Sequence, residues 1–192
     1  AIDELNSIQE RKNYLQKQSD DLTEAMTTLE NAIKKIDSET REKLDITYKE
    51  VNKNFSEFFK RLFMGGKAEL QLMGGEILDT GLQVSAQPPG KKNTTINLLS
   101  GGEKALTAIS LIFALFKLNP SPFCVMDEVD APLDDTNTGN FCSLVKEMAE
   151  KTQFLIVTHN RITMEIAEQL VGVTQQELGV SRIVEVDMRD ID

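Results

Sequence analysis

The feature that most constrains this fold is a long first stretch without a helix breaker. Residues 1–63 contain neither Pro nor Gly and mix Glu, Lys, Gln and Asp with spaced apolar residues. Because Pro and Gly are the residues that most strongly interrupt helices, the stretch predicts one continuous helix. Helices of globular proteins typically run roughly 8 to 20 residues. We therefore expect only part of this helix to pack on its own domain.

The first part of the helix carries the apolar repeat of a coiled coil. One set of residues recurs every seven positions: Ile8, Leu15, Leu22, Leu29 and Ile36. A companion position lies three residues before each position of this seven-residue repeat. It is apolar at Leu5, Met26 and Ile33. It is polar at Lys12, Ser19 and Thr40. This imperfect seam predicts that residues 5–36 pair with a helix from another segment.

The apolar stripe shifts phase toward the end of the helix and gains aromatic side chains. Its members are Leu44, Tyr48, Val51, Phe55, Phe58 and Leu62. A denser stripe is typical of a helix that packs on its own core. The sequence thus predicts two regions, a coiled-coil arm over residues 1–63 that runs into a domain over residues 64–192.

The sequence of this domain predicts an α/β fold. Two short segments bounded by Gly and Pro, MGGKAELQLMGG and TGLQVSAQPPGKK, predict a small antiparallel sheet. Helices and apolar strands then alternate: a helix to residue 118, a strand at 123–126, a helix near 136–150, a strand at 154–157, a helix near 162–170 and a last strand in VSRIVEVDM. This order predicts parallel central strands with flanking helices.

Two carboxylates follow the first of these central strands, in FCVMDE. They lie at the strand end where α/β proteins bind ligands. Asp127 and Glu128 point to opposite sides if the strand continues. That division suits Asp127 as a magnesium ligand and Glu128 as the base that orients and deprotonates an attacking water. The alternative is a strand capped by polar residues as it enters a loop.

A glycine pair opens the preceding helix, in LSGGE. Ser100 is placed to cap the helix, with Glu103 three residues later in the capping-box arrangement. Gly101 and Gly102 leave the helix N-terminus sterically open, so a phosphate could approach the free N–H groups there. The alternative is simply a well-formed helix start.

The chain's one histidine, His159, follows the second central strand in QFLIVTHN. Since parallel strands deliver their C-terminal ends to one edge of the sheet, a γ-phosphate contact is the favoured interpretation. A complete nucleotide site also needs the glycine-rich phosphate loop that ends in Lys and Ser or Thr. The segments at 64–69 and 88–95 do not fit its spacing, and we interpret both as turns.

Composition excludes several classes of protein. The net charge of −10 argues against a general DNA-binding surface; the pairs Lys60-Arg61 and Lys91-Lys92 read as surface charge. Cys124 and Cys142 are interpreted as core thiols of a protein in a reducing compartment.

No apolar run is long enough to span a membrane, since Lys104 and Lys117 interrupt the longest candidate. The start at Ala1, without Met or a signal-peptide pattern, suggests a piece of a longer protein that is not secreted.

Taken in order, LLSGGEKAL, FCVMDEVDAPLDD and FLIVTHN resemble the signature motif, the Walker B strand with its D-loop, and the switch histidine of an ABC-type ATPase. With AQPPGKK, GVTQQELGVSRIVEV and the coiled-coil entry, the whole chain resembles the C-terminal half of the head of a bacterial SMC (structural maintenance of chromosomes) protein. Pro132 departs from the small residue that ABC ATPases more often have in the D-loop. Related repair ATPases of the RecN or double-strand-break type, and a non-catalytic coiled-coil scaffold, are the alternatives.

The resemblance implies where the missing loop lies and what each motif does. The phosphate loop would sit in an N-terminal half of the same protein, so this chain alone would be inactive toward ATP. Asp127 would associate with Mg²⁺, Glu128 would be the catalytic base and His159 would sense the γ-phosphate. Ser100, Gly101 and Gly102 would reach the ATP of a second head, and Asp130, Leu133 and Asp134 would lie at the interface between heads.

The resemblance also implies partners and a cellular role. The expected partners are the N-terminal half, a second head in a homodimer, a kleisin subunit and DNA, with no membrane. The expected role is ATP-driven engagement and release of heads in chromosome condensation and segregation, in the cytoplasm and associated with the nucleoid.

Overall fold

The computed structural model describes residues 2–75, 78, 80–91, 95–177 and 179–188. The first element, α1 (Ile2–Leu62), is a single helix of 61 residues, which confirms the prediction of one unbroken helix. Residues 2–40 are exposed along their whole length, including seam residues such as Leu22 and Leu29. By its packing the chain divides into two compact units, and the division falls inside α1, between Thr47 and Tyr48.

The last turns of α1 belong to the second unit and are buried there. Phe55, Phe58, Phe59 and Leu62 are fully buried. They pack near a hairpin of β1 (Lys67–Leu72) and β2 (Leu82–Gln87), whose antiparallel pairing was predicted. The Tyr48 hydroxyl donates to the Leu70 carbonyl at 2.6 Å, and the Leu70 N–H donates to Asn52 Oδ1 at 2.7 Å.

A short 3₁₀ turn at 96–98 leads into the elements that carry the motifs. These elements are α2 (Gly101–Leu118), β3 (Phe123–Asp127), α3 (Asp135–Ala149) and β4 (Gln153–Val157). β3 and β4 pair in parallel, from Phe123 opposite Gln153 to Asp127 opposite Val157.

Phe113 of α2 lies at the centre of the core around these elements. Its ring centroid is 6.5 Å from that of Phe58, 6.3 Å from that of Phe141 and 6.2 Å from that of Phe154. Aromatic pairs at such distances stabilise a core beyond their buried area. The cluster therefore packs α1, α2, α3 and β4 against one another.

The chain after β4 differs from the sequence-based expectation. The helix predicted near 162–170 is only the short α4 (Arg161–Met164), and a strand that was not predicted, β5 (Gln169–Glu177), begins inside the expected helical range. The alternating valines of LVGV favour an extended conformation, which the helical interpretation overlooked. β5 pairs antiparallel with the predicted last strand, β6 (Val180–Asp187), through a turn in which Gly179 has φ +85°.

Both cysteines are free thiols. Cys142 is buried and Cys124 is half-buried, as expected for core residues. Burial raises the pKa of each thiol. Within the described ranges, none of the helices combines the length and the apolar character that a membrane crossing requires.

Candidate functional site

The C-terminal edge of the parallel pair brings Glu128 and His159 side by side. β3 ends at Asp127 and β4 at Val157, and the Glu128 N–H donates to the Val157 carbonyl at 2.8 Å. The His159 Nδ1 atom lies 3.9 Å from Glu128 Oε1, and both side chains are mostly exposed. Asp127 is also exposed. A carboxylate and an imidazole thus face solvent together, within reach of a ligand bound at this edge.

The backbone at Glu128 adopts an unusual conformation. Its φ is +47°, in the left-handed region that residues other than Gly seldom occupy. The strand therefore does not continue through Glu128, so the alternation that would place Asp127 and Glu128 on opposite sides does not apply. A left-handed residue costs on the order of 1 to 2 kcal/mol and persists only where the surroundings impose it, which is common at functional sites.

The segment after Glu128, residues 129–134 (the D-loop), is folded onto its own chain. The Ala131 N–H donates to the Glu128 carbonyl at 3.2 Å, and the Leu133 N–H donates to the Asp130 carbonyl at 3.0 Å. Asp134 caps α3, where its Oδ1 accepts from the N–H of Asn137 at 2.8 Å. Leu133 is half-buried against the core. Asp130 is 1% exposed, so its carboxylate is buried inside this chain, whereas the D-loop assignment expects it at a surface.

The N-terminus of α2 forms the predicted capping box. The Ser100 Oγ accepts from the Glu103 N–H at 3.4 Å, while Glu103 Oε2 accepts from the Ser100 N–H at 2.8 Å. The Ser100 hydroxyl proton remains available for a ligand, because the oxygen only accepts in the box. Among the described residues, the N–H groups of Gly101 and Gly102 have no hydrogen-bond acceptor. Two such donors at a helix N-terminus can bind an anion.

The two glycines of this motif have different surroundings. A Cβ built on Gly101 would meet no atom within 4 Å, which agrees with the expected open approach. A Cβ on Gly102 would lie 2.5 Å from the Pro132 carbonyl oxygen. The expectation that both glycines keep the helix end open therefore holds for Gly101 only. Gly102 instead permits a close approach between α2 and the D-loop of the same chain.

Sequence reasoning missed the role of Lys91. Its Nζ lies 2.8 Å from Glu103 Oε2, so the lysine reinforces the capping box. The hydrogen bond from Lys91, followed by that from the Ser100 N–H, holds the pKa of Glu103 below its usual range. The other member of that basic pair, Lys92, lies outside the described residues. Arg61, a member of the other basic pair, Lys60-Arg61, forms an ion pair with Glu147 at 2.7 Å, as expected for surface charge.

The residues at the strand edge fit a magnesium ion that is shared with a substrate. Over the part of the chain that the structure describes, His, Cys, Asp and Glu nowhere form a group of three or more that could hold a metal. Mg²⁺, however, prefers oxygen ligands, keeps several waters and commonly uses only one or two carboxylates plus substrate phosphates. Asp127 and Glu128 supply that kind of oxygen donor at an open edge.

Comparison with known families decides the assignment. The sequence profile described as "RecF/RecN/SMC N terminal domain" matches residues 5–182. The chain belongs to the RecF/RecN/SMC family. Among curated members, "Chromosome partition protein Smc" of Burkholderia pseudomallei is 64% identical over 188 residues, which are 98% of this chain and 16% of that protein. The chain thus spans about one sixth of the length of such relatives.

Solved structures of the SMC family share the fold. The Smc head domain with a coiled coil and joint from Pyrococcus yayanosii has a TM-score of 0.85 at 34% identity, over 98% of this chain and 36% of that one. The Pyrococcus furiosus Smc head with an extended coiled coil, bound to the C-terminal domain of ScpA, scores 0.76 at 37% identity, over 83% and 41%. A structure described under "ATP-driven dimerization and DNA stimulated activation of SMC ATPases" scores 0.67 at 38% identity, over 74% and 87%. The chain therefore has an SMC head-domain fold.

Proposed function

We propose that this chain is the C-terminal half of an SMC ATPase head, completed by a separate N-terminal half. The observation that carries the proposal is an uncovered apolar face on the parallel pair. Phe123 is 66% exposed, Val125 60%, Leu155 61% and Val157 51%. Parallel strands are normally buried on both faces. We assign to the N-terminal half the residues that would bury this apolar face. The same half would supply the further strands that extend the pair into a central sheet.

The motifs in this chain support the same division. The chain has the signature motif, the Walker B strand and the switch histidine, but no segment with the spacing of a phosphate loop. The matching family is described by its N-terminal domain. An N-terminal half of the head would have to contain the phosphate loop, and this chain has none. We therefore assign residues 64–192 to the C-terminal lobe of the head and residues 1–63 to the returning arm of the coiled coil, whose last turns pack into that lobe.

In this proposal the edge of β3 and β4 acts on the ATP bound to its own head. Asp127 would hold Mg²⁺, directly or through water, which would supply positive charge to neutralise the phosphates. Glu128 orients the attacking water and accepts its proton. His159, beside Glu128, donates a hydrogen bond to the γ-phosphate.

The N-terminus of α2 acts instead on the ATP of a second head. The Ser100 hydroxyl and the unpartnered N–H groups of Gly101 and Gly102 are donors suited to a γ-phosphate. Leu133 and Asp134 lie in the D-loop at the interface between heads, whereas Asp130 supports that loop from inside. Two ATP molecules would hold two heads together, and their hydrolysis would release them.

Such a cycle requires partners outside this chain. The structure bound to ScpA and the one described under ATP-driven dimerization support a kleisin and a second head as partners. The arm of residues 5–36 would pair with the N-terminal arm of the same protein, since its seam is exposed here. DNA would thread the assembly, and the cycle would drive chromosome condensation and segregation at the nucleoid.

Two substitutions in a head assembled from this chain and its N-terminal half test the proposal. Glu128→Gln keeps the shape of the side chain but removes the base, so ATP should bind, engaged dimers should accumulate and turnover should fall on the order of 100-fold or more. Ser100→Arg places a bulky cation at the open helix end. It should leave ATP affinity of each head within about threefold while dimers and turnover disappear.

The control is Ser143→Arg, since Ser143 is an exposed serine on α3, outside the motif segments of the sequence; it should behave as the unsubstituted head. Size-exclusion chromatography, nucleotide titration and phosphate release give the three readouts. Loss of ATP affinity in the monomeric Ser100→Arg head, together with failure of Glu128→Gln to accumulate dimers, would show that Ser100 does not act on the nucleotide of the opposite head.

A further inference from the structure

A buried carboxylate joins the D-loop to the segment that carries His159. Asp130 is 1% exposed, and its Oδ2 accepts from the Thr158 hydroxyl at 2.6 Å and also from the Thr163 hydroxyl. Its other oxygen, Oδ1, is buried without a hydrogen-bond partner among the described residues. A buried carboxylate with an unsatisfied oxygen is costly to stability. Its presence therefore calls for a role other than stabilisation of the core.

The hydroxyls that Asp130 binds flank His159 in the chain. Thr158 directly precedes His159, and its Oγ1 also accepts from the Asn160 N–H at 2.9 Å. Asn160 in turn caps α4, because its Oδ1 accepts from the Ile162 N–H at 2.9 Å. Thr163 lies in α4, where it is 2% exposed. One carboxylate oxygen thus binds the first residue of the segment 158–160, here called the switch loop, and also Thr163 in the helix that follows this loop.

We propose that Asp130 is a positioning residue that holds the switch loop against the D-loop and so keeps His159 beside Glu128. Asp130 lies two residues after Glu128 in the D-loop, and its carboxylate contacts Thr158 and Thr163, on either side of His159. A displacement of the D-loop, such as a second head could impose, is then passed to His159 through Asp130. The part of this inference that concerns catalysis rests on the proposed ATPase function; the part that concerns the position of His159 does not.

Thr163→Val is the substitution that isolates this link. It removes one donor to Asp130 with little change of shape, and Thr163 itself is remote in sequence from Glu128. Thr163→Ser retains the hydroxyl and should restore the link. Thr152→Val is the matched control, because Thr152 is equally buried but donates to the Ser121 carbonyl at 2.7 Å, before the start of β4.

The readouts use the head assembled from this chain with isotope-labelled histidine and an unlabelled N-terminal half. Because His159 is the only histidine of the chain, its ring gives a single set of NMR signals. Thr163→Val should shift or broaden these signals without nucleotide and should lower kcat about 10-fold to 100-fold, with KM for ATP within about twofold. Thr163→Ser and Thr152→Val should match the unsubstituted head in both.

Either of two results would overturn the inference. One is a His159 signal that is unchanged in Thr163→Val; the other is an equal change in Thr163→Val and Thr152→Val, which would indicate a general loss of packing. Absence of turnover in every head, with the His159 signal shifted only by Thr163→Val, would contradict the ATPase proposal and support the positional link. The NMR comparison thus separates failure of one proposal from failure of the other.

Discussion

At the scale of single residues, the site depends on donors and acceptors that are partly engaged within the chain. Ser100 uses its oxygen in the capping box and keeps its proton, while Glu103 is engaged by both the Ser100 N–H and Lys91. Glu128 occupies a left-handed backbone conformation beside His159. The side chain of Ser100 and the backbone of Glu128 are therefore held by contacts within the chain before any ligand binds.

Through its contact with Glu103 at the N-terminus of α2, Lys91 should make the free energy of unfolding depend on pH. The pKa of Glu103 is lowered in the folded chain, so its contribution to stability is present above the pKa it has when unfolded, and is lost as the pH falls through the folded-state pKa. Lys91→Met removes the main cause of that shift. Because the lysine is well exposed, the loss near neutral pH should be about 0.2 to 1 kcal/mol.

Urea denaturation of Lys91→Met and of the charge-preserving Lys91→Arg, at neutral pH and at a pH below the usual pKa range of Glu, measures this effect. The difference between Lys91→Met and the unsubstituted chain should shrink in acid and in about 1 M salt. Lys91→Arg should remain close to the unsubstituted chain. A difference that persists unchanged in acid would exclude Glu103 as the group through which Lys91 acts.

At the scale of elements, the N-terminus of α2 and the D-loop form one unit through Gly102. A Cβ at this position would overlap the Pro132 carbonyl oxygen at 2.5 Å, whereas a Cβ on Gly101 would meet nothing within 4 Å. Backbone groups cannot rotate away as a side chain can, so one of the two segments must move. The N-terminus of α2, proposed to contact the ATP of a second head, therefore packs on the D-loop, which is proposed to lie at the interface between heads.

The two glycines give a matched pair of substitutions. Gly102→Ala should destabilise the chain by about 1 to 3 kcal/mol, as overpacking does. Gly101→Ala should be neutral or stabilising by up to about 1 kcal/mol, because Ala favours the helix. Urea midpoints of the two variants provide the measurement. Equal midpoints would mean that Gly102 is not held against Pro132.

Most elements could be predicted from the sequence because their signals are local. The absence of Pro and Gly over residues 1–63 predicts α1, and the capping box at Ser100 and Glu103 predicts the start of α2. The strand β5 was missed because its apolar residues also suit a short helix, and only pairing with β6 decides between the two. The contacts of Asp130, Gly102 and Lys91 could not be predicted, since each joins segments that the fold brings together.

At the scale of the whole molecule, the chain is proposed to be half of a nucleotide site. Apolar side chains are exposed on one face of the parallel pair, and the seam residues of α1 are exposed along its first 40 positions. Both surfaces have the composition of buried surfaces. We infer that both are covered in the complete protein, the first by the N-terminal half of the head and the second by the opposite arm of the coiled coil.

Calorimetric titration with Mg-ATP, followed by phosphate release, tests this central proposal most directly. It compares the chain alone, the N-terminal half alone and the assembled head. The chain alone should neither bind ATP tightly nor hydrolyse it, because the loop that cradles phosphates is not in its sequence. Only the assembled head should turn over ATP, and Glu128→Gln should lower that turnover on the order of 100-fold or more. Micromolar binding of Mg-ATP by the chain alone, or undiminished turnover in the assembled Glu128→Gln head, would contradict the proposal.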